Sequence, residues 1–167
     1  MGQTEEDLKQ AFAGESEANR KYVAFARQAE QDGFPQVARL FRAAAESETV
    51  HAINHLQVMD GIHETLENLQ EAAEGEAEEF REMYPKFAQR AKENENYNAK
   101  DTFDYAGEVE EIHYRMYKQA IDAVKKGKDL PATDLFVCQG CGNTVEGKAP
   151  ETCPVCGAPK SMFKKVD

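Results

Sequence analysis

Two glutamate–histidine pairs and four cysteines are the residues of this 167-residue chain whose spacing can do chemistry. Glu48-Thr49-Val50-His51 and Glu110-Glu111-Ile112-His113 are both Glu-x-x-His. Residues three apart on a helix share a face, so each pair can offer one carboxylate oxygen and one imidazole nitrogen to the same ion. Cys138-Gln139-Gly140-Cys141-Gly142 and Cys153-Pro154-Val155-Cys156-Gly157 are two Cys-x-x-Cys-Gly knuckles separated by 11 residues. Two such knuckles make a tetrahedral site of four sulfurs, and the glycine after each second cysteine permits the tight turn. A disulfide framework is the competing reading, but it belongs to oxidising compartments. Structural Zn²⁺ and redox-active Fe share this tetrathiolate geometry, so the thiolates alone do not choose between them.

The elements that must position these groups follow from composition and breaks. Residues 1–137 contain no cysteine and are rich in Ala, Glu, Lys, Gln and Leu, all good helix formers. Gly33-Phe34-Pro35, Asp60-Gly61, Asn94 to Asn98 and Lys126-Gly127-Lys128 interrupt this run. They delimit helices over about 4–32, 35–60, 65–96 and 99–127, each roughly 40 Å long. Apolar residues recur on a 4-3 spacing in all four. The stripes are Leu8, Phe12, Tyr22 and Ala26; Val37, Phe41, Ala44 and Val58; Leu66, Leu69, Phe80 and Phe87; Phe103, Ala106, Tyr117 and Val124. Four such stripes with short connections describe a four-helix bundle. Pro85 should bend or break the third helix, because it removes a backbone donor. Asp129 to Asp134 reads as a linker. Residues 135–167 are too few for a core of their own and need a metal staple. The expected organisation is therefore 1–128 bundle, 129–134 linker and 135–167 knuckle domain.

Charge excludes several functions. Twenty Lys+Arg face 31 Asp+Glu, a formal charge of −11, which argues against unaided nucleic-acid binding. No apolar run approaches a membrane span, and Met1 to Asp7 lacks the regions of a signal peptide. The expectation is a soluble, cytoplasmic protein.

Each apolar stripe carries a glutamate in its middle: Glu15, Glu48, Glu76 and Glu110. Burying an unpaired carboxylate costs several kcal/mol, and four converging ones also repel each other. Multivalent cations at their meeting point offset both costs. One Glu from each of two helices, with Glu-x-x-His from each of the other two, is the ligand set of ferritin-like dimetal sites. Mixed carboxylate and imidazole donors suit iron or manganese. The interval from Glu15 to Glu48 is 33 residues and that from Glu76 to Glu110 is 34, so two helix-pair halves meet around the metals. By spacing alone, Glu79 is either a further ligand or a surface charge. His55 reads as a hydrogen-bonded core histidine and His63 as a solvated loop residue. Glu17, Glu46, Glu78, Glu108 and Glu111 read as solvated face.

In combination the chain resembles the rubrerythrin family over essentially its whole length. The residues that carry the resemblance begin with Ala13-Gly14-Glu15-Ser16-Glu17-Ala18, Glu48-Thr49-Val50-His51-Ala52 and Glu67-Asn68-Leu69. They continue with Gly75 to Glu79, Met83-Tyr84-Pro85, Glu110 to His113 and a rubredoxin-like tail ending Pro159-Lys160-Ser161-Met162-Phe163. The resemblance implies a ferritin-like bundle and a rubredoxin-like domain. It implies di-iron ligands at Glu15, Glu48, His51, Glu76, Glu79, Glu110 and His113, with Tyr22 and Tyr84 lining the site. It implies that one iron moves between His51 and Glu79 as the redox state changes, and that a third Fe, or Zn, sits on Cys138, Cys141, Cys153 and Cys156. It further implies a peroxidase reducing hydrogen peroxide in oxidative-stress defence. Electrons would come from a rubredoxin or an NAD(P)H-dependent reductase, with no nucleic-acid or membrane partner. A head-to-tail homodimer is also implied. An iron-oxidising, iron-storing ferritin-like protein and a zinc-stapled interaction module are the rival functions. One departure stands out: Asn143-Thr144-Val145 follows Gly142, where the family often places an aromatic residue.

Overall fold

The computed structural model describes residues 2–166. It contains α1 (Gln3–Gln31), α2 (Pro35–Val58), α3 (Thr65–Glu78), a π-helical turn (Glu79–Met83), α4 (Tyr84–Glu93) and α5 (Tyr97–Val124). A small tail follows, with β1 (Leu135–Cys138), β2 (Thr144–Glu146), a 3-10 turn (Lys160–Met162) and β3 (Phe163–Val166). Two compact units result, one ending at His63 and the other starting at Glu64. The fold class is the expected one: ferritin-like helices of a four-helix-bundle type with a rubredoxin-like, four-cysteine appendage.

The first unit is the antiparallel hairpin of α1 and α2. Gly33 takes a positive φ of 82° in the connection, and Pro35 opens α2, where its missing N–H costs nothing. The hairpin closes along a stripe of small residues. Ala26 and Ala29 of α1 are buried, as are Ala38, Ala45 and Ala52 of α2, which recur every seven residues. Small side chains let the backbones approach closely. Val37 and Val58, expected on the apolar stripe of α2, are 44% and 71% exposed. The contact line of the hairpin therefore runs beside the Glu-bearing stripe and does not coincide with it.

Asn19 is the one buried polar side chain described on these two helices. Its Nδ2 donates to Ala45 O at 2.6 Å and to Thr49 Oγ1 at 2.7 Å, while its Oδ1 accepts from Arg20 Nε at 2.8 Å. Tyr22, Phe25 and Phe41 form an aromatic cluster nearby, with centroids 5.6–6.4 Å apart.

The second unit repeats this plan with one alteration. Tyr84, Phe87 and Phe103 make a matching cluster with centroids 5.5–6.5 Å apart. Nineteen residues separate Tyr22 from Phe41, and nineteen separate Tyr84 from Phe103. Seven separate Glu15 from Tyr22, whereas eight separate Glu76 from Tyr84. The extra residue falls in the π-helical turn, whose wider i→i+5 ring accommodates one insertion. The third helix is thus divided, as Pro85 suggested, though the change of winding precedes the proline. Pro85 sits in the first turn of α4. Gly107 lets α5 approach this turn, since a Cβ there would lie 3.2 Å from Tyr84 Cβ. Asn96 caps α5 by accepting from Ala99 N at 3.1 Å, which starts that helix two residues before the expected point.

In the tail, β1 pairs antiparallel with both β2 and β3, giving the order β2-β1-β3. Gly142 and Gly157 have φ values of 88° and 75°, the left-handed conformation that each knuckle turn requires.

The Asn19 network predicts that Asn19→Ala lowers stability by about 1–3 kcal/mol, the cost of buried partners left short of a donor. A urea titration followed by circular dichroism measures this as a lower midpoint with an unchanged slope.

Candidate metal centres

Helical spacing places Glu48 and His51 one turn apart on α2, with Glu48 Oε2 2.9 Å from His51 Nδ1. Glu15 of α1 comes to 3.9 Å from the same nitrogen. The second unit builds the same triad. Glu110 Oε2 lies 2.8 Å from His113 Nδ1, and Glu76 Oε1 of α3 lies 3.6 Å from it. In each triad one donor atom per residue falls within 4.8 Å of the others. Such separations are those of ligands held at about 2.0–2.2 Å around one ion. His51 is half exposed, its side chain retaining 50% of its accessible surface, whereas His113 retains 27%.

Electrostatics in the second triad express the cost of gathering carboxylates. Burial, then hydrogen bonding and charge from Glu110, push the Glu76 carboxyl up to about 7. Glu110 moves the opposite way, held below the usual range first by its hydrogen bond to His113. His113 is raised, chiefly by that same bond. Protonation of Glu76 is therefore favoured beside Glu110, and a cation held by the triad would compete with that proton.

Glu79 opens the π-helical turn and lies outside the tight triad, but its charge reaches Glu76. Its own carboxyl is raised by burial, then by Glu110 and Glu78. Tyr84 is raised by burial and by Glu79, Glu110 and Glu76, so it borders these carboxylates. Tyr22 lies in the aromatic cluster of the first unit. Tyr117, which the sequence reading placed on the stripe without a role, also borders the second triad. Burial, Glu76 and Glu110 raise its phenol. Its signal was its position one turn after His113, on the same face.

The remaining glutamates and His63 sort as their positions suggested. Glu17 and Glu111 pair with Lys21 and Arg115 one turn on. Glu46, Glu78 and Glu108 sit outside the triads, and His63 is exposed. His55, expected as a core histidine, is only half-buried.

The four cysteines converge in the tail. Cys138 Sγ lies 3.7 Å from Cys156 Sγ, and Cys141 Sγ lies 3.6 Å from Cys153 Sγ. A metal–sulfur bond of about 2.3 Å puts tetrahedral sulfurs about 3.8 Å apart, so the cradle already has the metal's dimensions. Burial opposes ionisation of Cys153, but bonds from the backbone N–H groups of Cys156 and Val155 outweigh it, bringing the thiol down to about 7. Gly140 was not singled out by sequence. A Cβ there would press to 3.3 Å from Cys156 Sγ, so the glycine keeps the sulfur cradle open. Among the described residues no helix is long and apolar enough to cross a membrane.

Helix pairs that each bring a carboxylate and a Glu-x-x-His to one face, joined to a four-cysteine knuckle, define a class: non-haem iron proteins with a carboxylate centre and a thiolate centre. The comparisons agree. The family model described as Rubrerythrin matches residues 6–121, and that described as rubrerythrin, rubredoxin-like domain, matches 136–164. Rubrerythrin-2 of Clostridium acetobutylicum is 35% identical over 96% of this chain and 95% of its own length. Nigerythrin of Nitratidesulfovibrio vulgaris is 35% identical over 98% of this chain and 86% of its own. A nigerythrin structure described as fully reduced, all ferrous, superposes with a TM-score of 0.58 at 32% identity, covering 99% of this chain and 88% of that one. The mixed-valence nigerythrin structure gives 0.56. The chain belongs to the rubrerythrin family, iron-binding oxidoreductases with a di-iron site and a rubredoxin-like tetrathiolate site.

The raised Glu76 carboxyl predicts how metal binding depends on pH. Glu76 must lose its proton to ligate, so above about 7 little is displaced and below it a proton must leave. Affinity of the protein for Fe²⁺ or Co²⁺ should then fall below pH 7, approaching about tenfold per pH unit. Anaerobic titrations at pH 8 and pH 6 measure this. Equal affinities at the two values would remove Glu76 from the ligand set.

Proposed function

We propose that this protein is a hydrogen peroxide reductase, catalysing H₂O₂ + 2e⁻ + 2H⁺ → 2H₂O in cytoplasmic oxidative-stress defence. The observation that carries the reading is the joint presence of two matched Glu/Glu/His triads and a four-cysteine cradle in one chain of this family. Glu15, Glu48, His51, Glu76, Glu79, Glu110 and His113 are the residues that would hold iron. Iron bound there supplies the two-electron redox chemistry that breaks the O–O bond.

The chain's own residues do the rest. Carboxylates charge-balance the ions and fix their positions, and the partial burial of the triads limits access of water. Tyr22 and Tyr84 line the site. Tyr84 and Tyr117 keep their phenolic protons, because burial and neighbouring carboxylates raise both, so their hydroxyls can hold protons next to the reacting oxygens. Cys138, Cys141, Cys153 and Cys156 hold the iron through which electrons return one at a time. A rubredoxin or an NAD(P)H-dependent reductase is the external donor, and the working form is a homodimer. Functionally the chain divides into 1–128, 129–134 and 135–167.

Protein reduced without oxygen and mixed with a stoichiometric amount of hydrogen peroxide should regain ferric-thiolate absorption, and faster than it does with O₂. Reduced protein that peroxide fails to reoxidise at a useful rate would sink the reading. Glu79→Ala should slow peroxide turnover while leaving the ferric-thiolate spectrum unchanged, whereas normal turnover would remove Glu79 from the mechanism.

A further inference from the structure

At the position where the family often places an aromatic residue, this chain carries Asn143, and the backbone of the first knuckle holds it in place. Gly142, left-handed at φ 88°, donates its N–H to Cys138 O at 2.8 Å. Asn143 O then accepts from Cys138 N at 2.9 Å, and Asn143 N–H is directed to Cys141 Sγ. With both backbone groups committed to the knuckle, the amide side chain is turned inward. Asn143 is 1% exposed, and only Asn19 shares its status as a buried polar residue among those described. Its Nδ2 lies 3.6 Å from Cys153 Sγ. Its Oδ1 is also buried and meets no hydrogen-bond partner among the described residues.

A buried amide satisfied at one end only is a cost, and an apolar side chain of similar size would avoid it. The remaining contact accounts for the amide. A thiolate bound to metal carries no proton, so Cys153 Sγ accepts and Asn143 Nδ2–H donates. Cys153 is 2% exposed, so water does not compete for the sulfur. Backbone N–H groups of Val155 and Cys156 also reach it. Those backbone donors follow from the knuckle turn itself, whereas the Asn143 amide is an addition that the turn does not require. Four thiolates leave one net negative charge around Fe³⁺ and two around Fe²⁺, and part of the added charge resides on sulfur. A hydrogen bond to that sulfur strengthens on reduction and so favours the ferrous form.

We propose that the Asn143 side chain tunes the reduction potential of iron in the four-cysteine cradle, raising it by donating a hydrogen bond to Cys153 Sγ. The couple is Fe³⁺ + e⁻ ⇌ Fe²⁺, with the electron drawn from an external one-electron reductant. A raised potential lets weaker reductants fill the site. The inference requires iron at the thiolates and is independent of the oxidant that the protein reduces.

The test uses full-length protein with iron in the cradle, in an anaerobic redox titration followed by ferric-thiolate absorption. Asn143→Leu nearly keeps the volume and removes the donor. At the parent's midpoint its ferrous-to-ferric ratio should fall about tenfold, a shift of about 59 mV to lower potential. A ratio within about twofold of the parent's would overturn the proposal. So would weaker iron retention in Asn143→Leu at an unchanged potential, the signature of a packing role alone. A second measurement needs no variant. In the parent protein with ¹¹³Cd²⁺ in the cradle, the side-chain amide protons of Asn143 should show scalar coupling to the metal through Cys153 Sγ. Coupling seen at the backbone N–H of Asn143 but absent at its side chain would overturn the donor role. Neither measurement uses peroxide, so both stay decisive if the peroxide-reductase reading fails.

Discussion

Carboxylates held close together in a partly buried place need a positive charge between them. That constraint organises this molecule. Glu76 and Glu110 cannot both be ionised cheaply beside one another, and the protein without metal answers by keeping a proton on one and leaning the other on His113. A cation answers better, because it satisfies several oxygens and the imidazole together. Helical spacing delivers the carboxylates and the imidazole of each triad to one face. The tail obeys the same logic with sulfur. Four thiols crowd to 3.6–3.7 Å in pairs, a spacing that a central metal makes favourable.

The parts of this design written in side-chain type and spacing were legible from the sequence. Glu-x-x-His at a three-residue interval and the twin Cys-x-x-Cys-Gly knuckles specify donors, geometry and even the glycine conformation. Glutamates on otherwise apolar stripes located the triads. What depended on backbone winding or on contacts between distant segments was harder to read. The π-helical turn left only a one-residue difference between two intervals, visible once the aromatic clusters supply a second pair of landmarks. Ala26 lies on the stripe read for α1, but Ala38, Ala45 and Ala52 of α2 escaped because small residues are neither strongly apolar nor polar. Val37 and Val58 followed the right period yet stand exposed. Thr144 meets His113 across 31 residues of chain, and no local pattern announces such a pairing.

The two halves of the helical region are variations on one hairpin. Each has a Tyr-x-x-Phe on its first arm and a Phe on its second. In each, that Phe precedes the Glu of the Glu-x-x-His by seven residues. Repetition on this scale means that one solution to the packing problem serves twice: aromatic rings stiffen the hairpin a turn or two from the metal-binding face. The polar network of Asn19 and Thr49 does comparable work between the arms of the first hairpin, because hydrogen bonds demand a specific register where alanines alone would tolerate sliding.

The π-helical turn gives this near-symmetry a direction. Two identical hairpins would offer a pair of ions the same donors, and neither ion would differ from its neighbour in charge or preferred oxidation state. Glu79 opens that turn within its triad's field, so one half contributes an acidic group that the other lacks. The half that carries Glu79 is richer in negative charge than its counterpart. A structural duplicate thereby acquires a front and a back.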